Sequence, residues 1–159
     1  MAWLGVRAGV LNLLLPVGEI GEVLPLSNFT PVPLTRSWYR GLSNVRGSLY
    51  SVIDLPDLLG LGAVPGSVDA RLLLLAPARM RNTALLVTRL VGMHSPAALQ
   101  AVSPTPPAPV TAPALCAALS RAWQSADQQI WYELDLSALV ATQEFLEVAG
   151  EHSALETLS

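Results

Sequence analysis

The sequence predicts a mainly β protein, two stacked β-subdomains with a short C-terminal helix. Three observations carry that expectation. Short runs rich in leucine, β-branched and aromatic residues recur along the chain, separated by Gly, Pro, Asn and Asp turn signals. Sustained helical spacing of apolar residues is confined to 136–150. Two segments also end alike, VIDLPDLLG (52–60) and YELDLSALV (132–140), each a strand, an acid and a helical turn. A period this long does not suit a solenoid and fits two packed β-units.

The elements follow in order. Residues 3–15, WLGVRAGVLNLLL, read as two short strands joined near Gly9–Asn12. VGEIGEVL (17–24) is a short helical turn or irregular strand bearing Glu19 and Glu22. Pro25, Pro31 and Pro33 exclude a helix or central strand, leaving a fixed loop. In SLYSVIDL (48–55), Leu49, Ser51 and Ile53 share one face and Tyr50, Val52 and Asp54 the other. Both faces are largely apolar, as in a barrel wall packed on both sides. Asp57 to Leu59 form a helical turn stopped by Gly60 and Gly62. RLLLLAP (71–77) and ALLVTRLVGM (84–93) read as a hairpin turning at Asn82–Thr83. Residues 97–102 suggest a short strand, and the proline-rich 103–113 a stiff extended segment. LCAALSRAW is a helical turn entering a strand, SADQ a turn, and QIWYELDL a further strand. The final helix places Leu136, Leu139, Val140, Phe145 and Leu146 on one side and stops at Gly150.

Composition narrows the function. Of 159 residues, 52% are apolar and only 13% charged, where about a quarter charged is usual. Such a chain has a large core or an apolar surface suited to partners. Every basic residue is Arg and the net charge is −3, so the basic footprint of a nucleic-acid binder is missing. Arg in place of Lys suits protein interfaces. The single Cys116 excludes an intrachain disulfide, fits a reducing cytoplasmic compartment, and reads as a buried small hydrophobe. The apolar runs at 10–17 and 72–78 fall short of the roughly twenty residues of a membrane span, so membrane insertion is not expected. Glu19 and Glu22 directly after the first run also argue against a signal peptide.

Chemistry is sparse. His94 and His152 belong to no metal-binding pattern, and no phosphate-cradling glycine loop or nucleophile elbow occurs, so no cofactor, metal or catalytic residue is expected. Asp54 and Asp135 each precede an apolar turn and read as helix caps rather than catalytic acids. Trp3, Trp38, Trp123 and Trp131 read as core or interface anchors.

The segment GLSNVRGSLYSVIDLPDLLG (41–60) resembles the signature of the CheW family: Arg-Gly followed by an alternating strand ending Val-Ile-Asp-Leu. LLLPVGEIGEVLPL (13–26), TPVP (30–33) and WYELDLSALV (131–140) are similar to its flanking stretches. NVRGSLYSVIDL, Trp38 and the closing ELDL with FLEVA resemble the PilI-like branch. The resemblance implies two five-stranded SH3-like barrels in a single domain over 1–150, interleaved at the termini, with a tail at 151–159. It implies a non-catalytic adaptor joining the cytoplasmic tip of a chemoreceptor to the regulatory domain of a CheA-type histidine kinase, with output to type IV pili. It further implies that Glu22 and Arg46 face each other at the receptor groove. Ile20 and Val23 would line that groove, and the kinase would contact the edge from Val45 to Tyr50. Against it stands a small-ligand-binding or regulatory β-barrel without an array role, which would show a sealed apolar cavity.

Overall fold

The structure, a computed structural model, describes residues 2–26, 28–33, 35–103, 110, 113–119 and 121–141. The expected tail, most of the proline-rich segment and the last helix beyond 141 lie outside these residues. The strands are β1 (Trp3–Ala8), β2 (Leu11–Pro16), β3 (Ile20–Pro25), β4 (Tyr39–Val45), β5 (Ser48–Asp54), β6 (Arg71–Leu75), β7 (Thr83–Val87), β8 (Arg89–His94), β9 (Leu99–Val102), β10 (Arg121–Ser125) and β11 (Ile130–Glu133). Three short helices join them: α1 (Leu55–Leu58), α2 (Pro113–Ala117) and α3 (Leu136–Val140).

The chain is mainly β and forms two sheets, as expected. One has six strands in the order β8-β1-β2-β11-β10-β9, the other five in the order β3-β6-β7-β5-β4. The sixth strand arises because ALLVTRLVGM is not one return strand. β7 ends at Val87, Thr88 turns the chain, and β8 pairs with β1 in the other sheet. Thr88 is held at this switch through both its backbone and its side chain. Its amide donates to Arg7 O (2.9 Å), and its Oγ1 accepts from Gly9 N (2.9 Å).

Both sheets must curl. Laid flat, the edges β8 and β9 of a six-stranded sheet would lie about 24 Å apart at normal strand spacing. The link between them, Ser95 to Ala98, reaches roughly 18 Å at full stretch. In the second sheet the chain leaving edge strand β3 returns to the opposite edge, where Thr30 bridges Leu42 with paired bonds of 2.8 and 2.9 Å.

Side-chain alternation then yields three cores. Trp3, Leu14 and Trp131 fill the first barrel, with Leu99 and Trp123 against them. Val52, Leu72, Leu74, Ala84 and Leu86 fill the second. The opposite faces of the same strands, including Leu4, Val6, Leu13, Leu15, Leu73, Leu85 and Val87, meet between the barrels with residues of α1, α2 and α3. A strand with Leu on both faces is therefore serving two cores at once, which accounts for the apolar composition. Trp3, Trp38 and Trp131 are buried and Trp123 is half-buried. Cys116 is half-buried at the central core, its thiol donating to Val110 O (3.2 Å).

Candidate functional site

The repeated strand–acid–turn segments build matching corners. Asp54 Oδ1 accepts from Asp57 N and Asp135 Oδ1 from Ala138 N, each at 3.1 Å, so both acids cap the helices that follow. Asp54 does more. Its carboxylate is fully buried, and Oδ2 accepts from Arg40 Nη1 (2.7 Å) and Val64 N (2.9 Å). Arg40 lies over the Phe29 ring, 5.1 Å from its centroid. One acid thereby ties together the end of β5, the connection at Val64 and strand β4.

The Glu22–Arg46 pair is constructed differently. Glu22 sits on β3, whose register slips between Ile20 and Glu22, leaving Gly21 as the extra residue of a bulge. Arg46 and Gly47 form the two-residue turn between β4 and β5, with Val45 opposite Ser48. Both turn residues have positive φ, 50° and 86°, as a primed hairpin turn requires. Asn44 Oδ1 accepts from Gly47 N (2.9 Å) and fixes the turn. Asn or Gly at the first of these positions would relieve strain that an ordinary L-residue bears there. Arg46 bears it and directs Nη2 to Glu22 Oε2 at 2.7 Å. β3 and β4 are opposite edges of their sheet, so the pair spans the barrel seam.

The pair is open to solvent, with side chains 69% (Arg46) and 38% (Glu22) exposed. It is thus a surface pair. The hydrogen bond to Glu22, then its charge, raises the Arg46 pKa above its ordinary value. Around the pair, Ile20 and Val23 are half-buried against the central core, while Val45 and Tyr50 pack against the core of the second barrel. Leu49, at the same hairpin, is 44% exposed. Glu22 and Arg46 therefore come into contact. The four apolar positions surround them at two different cores and do not form one continuous cluster.

Two features escaped sequence reading. Glu19 is not a free acid beside Glu22. It pairs with Arg79, which also donates to Ser137, joining the turn after β2 to the β6–β7 loop and to α3. Arg40 likewise carries no sequence signal as the partner of Asp54, fourteen positions away. Among the described residues no cluster of three or more His, Cys, Asp or Glu could hold a metal, and no helix is long and apolar enough to cross a membrane. The described cavities open to solvent and have mixed polar and apolar walls, unlike the sealed apolar cavity of the ligand-binding alternative.

Two interleaved β-barrels that share a third core define the class by architecture: a double-barrel β module. Residues 2–144 match the CheW-like domain family, and the chain belongs to it. Over 70 residues it is 37% identical to "Protein PilI" of Pseudomonas aeruginosa. That match covers 44% of this chain and 39% of that protein, so less than half of the relative's length is represented. The fold is also that of the scaffolding protein TtCheW from Thermoanaerobacter tengcongensis, with a TM-score of 0.70 over 90% of this chain and 89% of that one at 18% identity.

Proposed function

We propose that the chain is a non-catalytic cytoplasmic adaptor coupling a chemoreceptor to a CheA-type histidine kinase at arrays beneath the inner membrane, with output to type IV pilus motility. Family membership supports the adaptor role, and similarity to PilI supports the pilus assignment. The observation carrying the site is Arg46: a long charged residue held at φ 50° where Asn or Gly would sit without strain, and left exposed. A purely structural turn has no need of that residue.

In this reading the receptor's helical tip lays spaced apolar anchors against Ile20 and Val23 while polar groups meet Glu22 and Arg46. The kinase regulatory domain packs on the hairpin edge from Val45 to Tyr50, to which Leu49 adds exposed apolar area. The exposed pair contributes little to stability, so its binding role can be tested without unfolding the barrel.

The experiment is co-sedimentation with a receptor cytoplasmic fragment and the kinase regulatory domain. Wild-type protein is expected to bind both; Arg46→Ala and Glu22→Arg should lose receptor binding and kinase stimulation while keeping the wild-type circular dichroism spectrum. Folded variants that bind as wild type does would remove these residues from the site. Wild-type protein that binds neither partner would refute the adaptor reading.

A further inference from the structure

In the other sheet from the Glu22–Arg46 pair lies a second arrangement of arginines. Arg7 on β1 and Arg89 on β8 are direct partners across an antiparallel pair, so their side chains leave the same face of the sheet. Like charges set directly opposite repel. Among the described residues neither guanidinium has a carboxylate partner: Arg7 donates to Asn12 Oδ1 (3.3 Å) and Gly9 O (3.4 Å), both neutral. The three ion pairs among the described residues use Arg40, Arg46 and Arg79 instead.

Both arginines line one pocket of about 410 Å³ at the point where the chain passes from one barrel to the other, together with Gly9, Pro65, Ser67, Asp69 and Thr88. That volume falls within the ordinary range for small-molecule sites. The walls are held in place. Thr88 is bonded to both Arg7 O and Gly9 N, and Asn12, which holds Arg7, donates in turn to Gln129 Oε1 (3.2 Å). Arg7 is half-buried and Arg89 exposed, so one guanidinium is fixed and the other free to close on a ligand.

We propose that this pocket binds a small molecule carrying a phosphate or carboxylate group together with hydroxyl or amino donors. The arginine forks match the anionic group. Asp69 would repel a bare anion and accept from a neighbouring donor, and the hydroxyls of Ser67 and Thr88 add polar contacts at the same wall. A concave pocket lined by two arginines and a single carboxylate favours such a ligand over an acidic segment of a partner protein, which would need an extended complementary face.

The test is a heteronuclear NMR titration of the full chain with ribose 5-phosphate, inorganic phosphate and ribose as probes, following the amides of Gly9 and Thr88. Saturable shifts are expected with ribose 5-phosphate at millimolar concentration, weaker ones with inorganic phosphate, and none with ribose. Arg89→Ala should weaken binding about tenfold or more, as expected for loss of a charge-assisted contact, and Arg89→Lys by less. Asp69→Ala should narrow the preference for ribose 5-phosphate over inorganic phosphate. Arg81→Ala, at an exposed arginine outside the pocket, should bind as wild type does. The proposal is overturned if wild type shows no saturable shift, if folded Arg89→Ala and Arg89→Lys bind unchanged, or if Arg81→Ala weakens binding equally. It is also overturned if an acidic peptide saturates the site while ribose 5-phosphate does not, which would assign the pocket to a protein partner.

Discussion

The β4–β5 hairpin carries two arginine–carboxylate pairs of the same length and opposite character. Arg40–Asp54 and Arg46–Glu22 each close at 2.7 Å. Asp54 is wholly buried, caps α1 and also accepts from Val64 N, whereas Glu22 and Arg46 stand in solvent. The interaction distance is therefore uninformative about role; surroundings decide. A buried carboxylate with several donors becomes a liability once any of them is lost. An exposed pair exchanges water for protein at almost no net gain, so it adds little to stability.

The comparison is broken most severely at Asp54. Asp54→Ala would strand the Arg40 guanidinium and the Val64 amide and remove a helix cap, with an expected loss of about 3–5 kcal/mol in urea unfolding. A loss below about 1 kcal/mol would mean that the corner relaxes and that burial has been over-read. Asp135→Ala sharpens the contrast, since Asp135 makes the same cap without a buried arginine partner. About 1 kcal/mol is expected there; a loss equal to that at Asp54 would show that the cap alone dominates both corners. Arg46→Asn should move the urea midpoint least, leaving it close to wild type, because relief of the positive φ offsets the lost surface pair. A destabilisation as large as that at Asp135 would instead make the pair the structural lock of the barrel seam.

Much of this was legible in the sequence where local chemistry decided the outcome. The β1–β2 hairpin and strand β5 follow turn residues and alternation, and both Asp caps follow from position alone; strand β4 and its turn at Arg46–Gly47 were not read from the sequence. The split of 84–93 between two sheets was not legible. Thr88 and Arg89 interrupt the apolar run without a Gly, Pro, Asn or Asp turn signal, and Thr88 matters through bonds to Arg7 and Gly9 that are remote in sequence. The Glu22–Arg46 contact was reached through family resemblance, since 24 positions separate the two residues and no periodicity joins them. Arg79 with Glu19 and Arg7 opposite Arg89 were missed for the same reason: strand register brings them together, and register over long separations is a tertiary fact.

One feature of the first sheet bears on synthesis. β11 lies between β2 and β10, in parallel register that sets Trp131 beside Asn12. The last of the described strands to be synthesised is thus the keystone rather than the edge of that barrel. Until residues 130–133 emerge, the opening hairpin has no neighbour on its inner side, and any nascent chain cut short before them holds two halves of a wall that cannot meet.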